Sequence, residues 1–439
     1  MRGLKSFLGG ALVLATAVSS HAAVGDRASA ATTVRVSVSS GGGQANGSSG
    51  ASKVSANCRM TTFSSSASNL VHGDTKRWVD VFAHNAKTDE TILVSRALGG
   101  ERANGNSRPN GVSATGRFIA YDSGASNLVK HDDNDQYDVF VRDTTERRSQ
   151  RISVPAGGGW ADGPSYRPAI SADGRYVAFD SYATNMVPDD GSGGFDVFVR
   201  DRVAKTTERV SIGLGGEDPD GESTGAAISG NGRFVVFESG AENLVDNDGN
   251  GFVDVFLYDR DADTTSLISV GSDGSPSNNT FSGIADISAN GRYIAFTSTA
   301  SNLVADDTNG TIADVFVRDR VAETTQLVSV NSAGEQGSDF QSLQGTVSAD
   351  GAVVTFDSLS SAMVGNDTND EPDVFVHVMD SGVTKRASVS TGGKQGNLGS
   401  VASAIADGGG CVSFTTGANN LVKHDTNDAS DILLRTFAT

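Results

Sequence analysis

Short stretches of β-branched and aromatic residues, bounded by Gly, Asp, Asn and Ser, recur along most of the 439-residue chain. Two clear examples are SADGRYVAF (171–179) and DVFVRD (196–201). Asp-Gly and Asn-Gly dipeptides beside such stretches favour tight hairpins between antiparallel strands. No stretch shows the sustained period of an amphipathic helix. The pattern therefore predicts an all-β protein.

The stretches are organised in a repeat. The tripeptide Asp-Val-Phe, which is Asp-Ile-Leu in the last copy, recurs at intervals of 58 to 60 residues, beginning at Asp80, Asp138, Asp196, Asp254, Asp314, Asp373 and Asp431. Each unit holds four strand-like segments, labelled a to d, in which hairpins join a to b and c to d. Four antiparallel strands in a repeat of this size are typical of a β-propeller blade.

The two ends of the chain complement each other. The last unit contains segments a, b and c, whereas TTVRVSV (32–38) reads as a segment d without its unit. Pairing the two would cover a strand edge that otherwise promotes aggregation. We therefore expect one domain, residues 31–439, folded as a single seven-bladed β-propeller of four-stranded antiparallel blades, with residues 32–38 closing the ring in blade 7.

Residues 1–30 have the pattern of a secretory signal peptide. A basic start precedes an apolar run from Phe7 to Val18, and small residues follow, with cleavage options after Ala22 or Ala30. The apolar run is too short to span a bilayer, and no later stretch approaches the required length. We expect a secreted or otherwise extracytoplasmic protein without a transmembrane segment.

The repeat resembles the TolB-type propeller repeat, a distant relative of the WD repeat. The resemblance rests on Ser-x-Asp-Gly-Arg-x-Val-Ala-Phe at 171–179 and on Asp-Val-Phe-Val-Arg-Asp at 196–201 and 314–319, and it extends over essentially the whole of residues 31–439. Such propellers serve as binding platforms, as gates of proteases and, occasionally, as lyases. The resemblance implies the fold and does not select among these functions.

The charge of the chain limits its partners. The net charge is −19, and the loops between segments b and c are strongly acidic, as in NLVKHDDNDQYD (127–138). Nucleic acids and anionic membranes require clustered Lys and Arg, so we expect neither as a partner. We expect a monomer that binds a protein or a glycan, of unknown identity, on this acidic loop-rich face.

The b–c loops share the pattern Asp-x-Asn, followed by the first Asp of segment c. Such side chains cap turns by accepting backbone amides, and they also supply the oxygen ligands that Ca²⁺ prefers. In blade 4, DNDGNG (246–251) resembles the first half of an EF-hand loop, although Leu257 stands where the bidentate Glu would be. An Asx turn alone and a calcium-binding turn both stay open. The candidate calcium ligands are Asp132, Asn134, Asp138, Asp246, Asp248, Asn250, Asp254, Asp307, Asn309, Asp314, Asp367, Asn369, Asp373, Asp425, Asn427 and Asp431.

Aromatic residues are unevenly spread over the same face. Four of them lie one or two residues before segment c in blades 1 to 4, and two lie in the d–a connection that leads into blade 3. Aromatic side chains anchor binding surfaces and can stack on sugar rings, although they also form local loop cores. The candidate ligand-binding residues are Trp78, Tyr137, Trp160, Tyr166, Phe195 and Phe252.

Catalytic motifs are weak in this sequence. The segment around Ser223 matches the nucleophile-elbow pattern Gly-x-Ser-x-Gly, but Ser occupies the same place in all seven units, which indicates a structural role. The histidines form no closely spaced cluster of the kind a zinc site shows. We therefore expect a non-enzymatic binding or scaffold module without catalytic residues. The alternatives are a carbohydrate-active lyase or hydrolase at the channel mouth and a subunit of a TolB-like envelope complex.

The two cysteines, Cys58 and Cys411, are 353 residues apart in sequence. In a closed seven-bladed ring, however, they lie in neighbouring blades, 1 and 7, both towards the hairpin face. Export would favour their oxidation to a disulfide, whereas the outward divergence of neighbouring blades favours two buried free thiols. The pairing Cys58–Cys411 is the hypothesis we carry forward.

Overall fold

The structure, a computed structural model, describes residues 31–74, 78–188, 190–191, 193–246, 248–278, 281–337 and 340–438. The signal-peptide prediction for residues 1–30 therefore lies outside the described residues. The described chain forms seven separate four-stranded antiparallel sheets, each of which is one blade. Within each sheet the strands keep the order a, b, c, d, and successive a strands contact one another around the centre of the ring.

The strand bounds repeat closely from blade to blade. The a strands of blades 1 to 7 are β2 (Ser49–Val54), β6 (Ser107–Val112), β10 (Ser165–Ile170), β14 (Ser223–Ile228), β18 (Ser282–Ile287), β22 (Ser342–Val347) and β26 (Ser400–Ile405). The b strands are β3 (Met60–Ser65), β7 (Phe118–Ser123), β11 (Tyr176–Ser181), β15 (Phe234–Ser239), β19 (Tyr293–Ser298), β23 (Val353–Ser358) and β27 (Cys411–Thr416). The c strands are β4 (Asp80–Asn85), β8 (Asp138–Asp143), β12 (Asp196–Asp201), β16 (Asp254–Asp259), β20 (Asp314–Asp319), β24 (Asp373–Val378) and β28 (Asp431–Thr436). The d strands are β5 (Glu90–Leu93), β9 (Arg148–Arg151), β13 (Thr206–Arg209), β17 (Thr264–Leu267), β21 (Thr324–Leu327), β25 (Val383–Arg386) and, in blade 7, β1 (Thr32–Arg35).

These sheets confirm the prediction of an all-β, seven-bladed propeller. The helical elements in the described residues are two single turns of 3-10 helix, Leu98–Gly100 and Leu214–Gly216, both in d–a loops. None of the described helices is long and apolar enough to cross a bilayer. The b and c strands are buried on both faces because each blade packs between two others. Their central aromatic residues stack within a blade, as Phe237 does on Phe256, with ring centroids 6.0 Å apart.

Ring closure by the N-terminal strand is also confirmed. β1 pairs antiparallel with β28, placing Thr32 opposite Thr436 and Val34 opposite Leu434. The regular strand ends at Arg35, three residues earlier than the predicted segment 32–38. The amide of Val36 still donates to the carbonyl of Ile432 at 2.9 Å, so the segment stays attached beyond the regular ladder.

The contact between neighbouring blades, called a seam below and named by its two blades, has a recurring feature on the hairpin side. A glycine in the a–b turn of one blade lies against the first b-strand side chain of the blade before it, which is usually aromatic. A Cβ atom at Gly174 would lie 2.2 Å from the Phe118 ring, and one at Gly232 equally close to Tyr176. These glycines have positive φ, so both the space and the backbone exclude larger residues.

Seam 7–1 replaces this contact with a covalent bond. Cys58 occupies the glycine position, with φ of 57°, and Cys411 occupies the first position of the b strand. In the structure their sulfurs form a disulfide, and the Cα atoms are 6.1 Å apart, within the usual range. The disulfide adds a covalent link on the hairpin side to two blades that are also joined by hydrogen bonds, such as that from the Ser49 amide to the Ser430 carbonyl at 2.8 Å.

Candidate functional site

Each c strand begins with a buried Asp whose first contact is structural. In blade 3, the hydroxyl of Ser211 donates to Oδ1 of Asp196 at 2.7 Å and accepts the amide of Val197 at 3.0 Å. The same Ser–Asp pair recurs in every blade, and its members are Ser95–Asp80, Ser153–Asp138, Ser269–Asp254, Ser329–Asp314, Ser388–Asp373 and Ser37–Asp431. One oxygen of this Asp therefore ties strand c to the residue two positions beyond strand d.

The Asn of the b–c loop forms an Asx turn in blades 2, 4, 6 and 7. Oδ1 of Asn250 accepts the amide of Phe252 at 2.8 Å, while its Nδ2 donates to Asp254 at 2.7 Å and to the Ser277 carbonyl at 3.1 Å. Asn134, Asn369 and Asn427 accept their own turn amide in the same way, and Asn309 donates to Asp314 at 2.8 Å. These contacts account for the repeated Asp-x-Asn pattern through turn geometry, and calcium binding stays a prediction.

An arginine at the end of strand d neutralises the acidic pair in several blades. In blade 6, Arg386 lies 3.1 Å from Asp367 and 3.2 Å from Asp373. In blade 7, Arg35 makes the same two contacts, at 3.2 Å to Asp425 and 3.1 Å to Asp431. Arg209 occupies the same position in blade 3 and lies near Asp190. Arg151 occupies it in blade 2 and lies near Asp132 and Asp138. A basic residue at the fourth position of segment d was the sequence signal for this compensation, and it was missed.

Blades 4 and 5 carry Leu267 and Leu327 at that position. In blade 5, the side-chain amide of Gln336 donates to Asp307 at 3.2 Å and to Asp314 at 2.6 Å. In the described part of the chain, blade 4 is the one blade whose acidic pair meets neither an arginine nor such a glutamine.

The acidic pair of blade 4 is Asp248 and Asp254. Burial and the neighbouring Asp254 carboxylate raise the pKa of Asp248 to about 6, and Oδ1 of Asp248 is buried without a hydrogen-bond partner. Asp246, the first residue of the EF-hand-like segment, is exposed. Among the described residues, no group of three or more His, Cys, Asp or Glu side chains converges as a metal site would.

Three of the six predicted aromatic residues come together at one place. The Tyr137 and Tyr166 rings lie 5.3 Å apart, and Phe195 lies 6.2 Å from Tyr166. Tyr182, which sequence reasoning missed, lies edge-on to Phe195 at 5.3 Å and is 44% exposed. We call Tyr137, Tyr166, Tyr182 and Phe195 the aromatic cluster. It lies on the loop face at seam 2–3, beside the channel mouth, because Tyr166 belongs to the a strand β10.

The other predicted aromatic residues lie elsewhere. The Trp160 ring is covered by the guanidinium of Arg151, 3.4 Å from the ring centroid. Trp78 and Phe252 lie two residues before strand c in blades 1 and 4, one residue earlier than Tyr137 and Phe195 in blades 2 and 3. Among the described residues, Phe252 makes no ring contact with the aromatic cluster. The two aromatic residues directly before strand c thus belong to the cluster, together with Tyr166 of an a strand.

Acidic residues of the b strands surround the channel near the same mouth, and the sequence analysis did not identify them. Asp180 accepts the amide of Gly225 in the next blade at 3.1 Å, and Asp357 accepts that of Ala402 at 2.6 Å. Both amides belong to bulges in the a strands. Burial raises the pKa of Asp122 and Asp180 to about 6, and that of Asp357 to about 7. These carboxyl groups join neighbouring blades rather than facing solvent.

Comparison with known proteins places this geometry within one fold. No family model matches the chain, and no curated protein matches it. An oligogalacturonate lyase in complex with manganese aligns with a TM-score of 0.52 and 9% identity, over 92% of this chain and 93% of that one. The β-propeller domain of the Trilobed protease from Pyrococcus furiosus aligns with a TM-score of 0.50 and 10% identity, over 84% and 91%. TolB from Acinetobacter baumannii is similar at a TM-score of 0.41 and 12% identity, over 82% and 76%.

The chain is a β-propeller. The fold that the TolB-type resemblance implied is present in all seven blades. At these low identities the likenesses show the fold alone, so the function must be argued from the surfaces of the propeller itself.

Proposed function

We propose that the protein is an exported, non-enzymatic β-propeller module that binds a glycan at the loop-face mouth of its channel. The observation that carries this proposal is the aromatic cluster, in which Tyr166 lies between Tyr137 and Phe195 at the edge of the channel. Aromatic rings with partly exposed faces offer apolar platforms to sugar rings, and the tyrosine hydroxyls supply polar contacts at the same place.

Polar groups beside the cluster support a glycan over an apolar ligand. Arg108 and Arg167 occupy the second and third positions of their a strands, next to the cluster, and are exposed. Arg167 pairs with the buried Asp180 at 2.6 Å, which fixes its direction. A few oriented polar groups around an aromatic surface are the usual arrangement in a small-molecule site.

A binding screen tests the proposal. The purified protein is run in affinity gel electrophoresis against a panel of neutral and acidic polysaccharides, and each one that retards it is followed by calorimetry. Tyr166→Ala should weaken binding at least tenfold, since a ring at the centre of the surface is lost. Phe252→Ala, in the corresponding loop of blade 4 but outside the cluster, is the control and should bind normally. Retention of full affinity by Tyr166→Ala would contradict the proposal.

The two alternatives make different predictions in the same experiment. A lyase or hydrolase at the channel mouth would release shorter, reducing oligosaccharides from the polysaccharide that it binds, whereas a binding module leaves its length unchanged. The buried carboxyl of Asp122, with its raised pKa, lies near Tyr166 and Arg108 and favours this alternative. A subunit of an envelope complex would instead co-purify with protein partners from its native host.

Calcium stabilisation enters the proposal for blade 4. Among the described residues, its acidic pair lacks the cation that Arg386 and Arg35 provide elsewhere, and oxygen-rich loops with uncompensated carboxylates are the sites that Ca²⁺ favours. The candidate ligands there are Asp248 and Asp254, with Asp246 and Asn250 in the same loop. In blades 6 and 7 each carboxylate of the acidic pair already contacts an arginine.

A further inference from the structure

Seam 1–2 lacks the packing that closes seams 2–3, 3–4 and 4–5 on their outer, hairpin side. At three seams, an arginine directly after strand c stacks on the first b-strand ring of the preceding blade. The distances from guanidinium carbon to ring centroid are 4.4 Å for Arg202 on Phe118, 4.4 Å for Arg260 on Tyr176 and 4.0 Å for Arg320 on Phe234. An aromatic ring and an arginine side chain thus fill the space between these blades.

Seam 1–2 has smaller residues at both positions. Met60 begins the b strand of blade 1 and stands where several other blades have an aromatic ring. A Cβ atom on Gly116 of blade 2 would lie 2.6 Å from the Cβ atom of Met60. Thr144 follows strand c of blade 2 in place of the arginine. The structure contains a cavity of about 890 Å³ here, lined by both residues. This volume is typical of a site for a small ligand.

A second link is also missing at this seam. At five other seams the Thr at the second position of strand d donates to a carbonyl of the preceding blade's d–a loop, as Thr325 does to Val270 at 2.6 Å and Thr207 to Val154 at 2.6 Å. In blade 2 that position is Ser149, whose hydroxyl lies 3.0 Å from that of Tyr121 within its own blade. The 96–102 loop therefore lacks this link to blade 2.

Arginines dominate the polar wall of this cavity. Arg142 is 8% exposed, and its hydrogen bond to Ser149 is long, with Nη1 3.5 Å from the hydroxyl oxygen. Its equivalent in blade 3, Arg200, reaches Thr207 at 2.8 Å and the Val154 carbonyl at 3.4 Å. Arg96 and Arg147 also line the cavity.

The charges around Arg142 do not compensate the positive charge of its guanidinium. Burial lowers its pKa, and Arg96 and Arg147 lower it further, while Tyr121 and Asp143 oppose this only in part. Asp143 is engaged by Arg117 at 2.8 Å. Arg102 pairs with Asp74, and the acidic residues lining the cavity, Glu90 and Glu101, are exposed.

We propose that the cavity at seam 1–2 binds an organic carboxylate, with the carboxylate against Arg142 and Arg147 and an apolar portion against Met60 and Ile92. A guanidinium presents paired donors that match a carboxylate, and a buried one gains most from an anionic partner. The apolar wall distinguishes such a ligand from inorganic anions. The ligand can be a free small acid or the C-terminal carboxylate of a peptide, since the chemistry of recognition is the same.

Calorimetry on the purified protein tests this with hexanoate, adipate, hexanol and inorganic phosphate. Either carboxylate should bind at least tenfold more tightly than phosphate or hexanol. A hexapeptide with an apolar C-terminal residue, compared in its free-acid and amidated forms, identifies the source of the carboxylate. Tighter binding of the free-acid peptide than of hexanoate assigns a peptide ligand. Tighter binding of hexanoate assigns a small acid. Equal affinity for carboxylate, phosphate and hexanol, or no binding of either carboxylate, would overturn the proposal.

Two variants make the test specific to this seam. Met60→Phe combined with Thr144→Arg restores the residues of the closed seams, so it should keep or raise the melting temperature while abolishing carboxylate binding. Arg147→Gln should weaken binding about fivefold or more, whereas Lys205→Gln, at the same turn position in blade 3, should not change it. Unchanged binding in the filled variant would place the ligand elsewhere and reject the site.

Discussion

Blade 7 and blade 4 lie on roughly opposite sides of the ring and treat the same acidic loop differently. In blade 7, Arg35 from the N-terminal strand contacts Asp425 and Asp431, and all three side chains are at least nine-tenths buried. In blade 4, Leu267 stands in the place of that arginine, and Asp248 and Asp254 face each other without a cation among the described residues. Both loops nevertheless make the same Asn-centred turn.

The difference separates what the repeat requires from what it permits. The Ser–Asp contact is required, because it fixes strand c in every blade, and the Asn-centred turn recurs in blades 2, 4, 6 and 7. The compensation of charge is supplied blade by blade. Blade 7, whose strands come from the two ends of the chain, has an ion pair to its N-terminal strand and a disulfide to blade 1. Blade 4, continuous in sequence, has neither within the described residues.

The largest effect should follow from removing β1. Deleting residues 31–38 in addition to 1–30 would expose the edge of β28 and leave Asp425 and Asp431 without Arg35. We expect aggregation, or loss of a single cooperative unfolding transition, because an open strand edge pairs with other chains. A protein lacking only residues 1–30 is the matched control in calorimetry and light scattering. Equal solubility and stability of the two proteins would contradict closure by this strand.

Arg35→Leu makes blade 7 resemble blade 4 at a single residue. Removing one partner of a buried ion pair leaves uncompensated charge, which typically costs about 3–5 kcal/mol. The free energy of unfolding in urea should fall by this amount at pH 7. The reciprocal change, Leu267→Arg in blade 4, should not destabilise the protein. A loss below about 1 kcal/mol in Arg35→Leu would show that the ion pair contributes little.

The disulfide can be exchanged for the contact that other seams use. Cys411→Ala should lower the free energy of unfolding by about 2–5 kcal/mol, because the bond closes a very long loop. Cys58→Gly combined with Cys411→Phe restores the glycine–aromatic contact of seam 2–3 and should recover part of this loss. Non-reducing mass spectrometry of the parent protein should find no alkylatable thiol, and two reactive thiols would refute the bond.

The fold could be predicted from the sequence because the strand and turn pattern of one blade recurs in all seven units. The spacing of Asp-Val-Phe and the segment 32–38 were sufficient for blade number and closure. The same repetition concealed the site, since Asp and Asn recur for a structural reason and their recurrence suggested calcium in five blades. Residues that decide the chemistry are the exceptions to the repeat. Met60 and Tyr166 differ from their equivalents, and their effect depends on a neighbouring blade. Leu267 recurs as Leu327 in blade 5, but there Gln336 contacts the acidic pair.

The pH dependence of blade 4 should differ from that of blade 7. A carboxyl whose folded pKa is raised favours the folded state below its unfolded pKa, near 4, and loses that contribution as the pH rises through the folded value, about 6 for Asp248. Asp248→Asn should therefore be more stable than the parent at pH 7, in chelator, by about 1 kcal/mol after allowance for screening. The difference should vanish at pH 4. Asp425→Asn, which removes a partner of Arg35, should destabilise at pH 7, and stabilisation there would contradict the comparison.

Calcium should produce the smallest effect, and in blade 4 it should reduce the stability advantage of Asp248→Asn over the parent protein. A site with a dissociation constant of about 1 mM, as in extracellular modules, stabilises the folded state by about 0.4 kcal/mol at 1 mM Ca²⁺. The parent protein and Asp425→Asn should both gain this stability when calcium replaces chelator at pH 7. Asp248→Asn should gain none, because the unpaired carboxylate that the cation would neutralise is gone. If the parent melts identically in calcium and in excess chelator, the Asx turn accounts for the loop by itself. The ionised Asp248 then destabilises the folded state at pH 7, and no bound calcium offsets this loss.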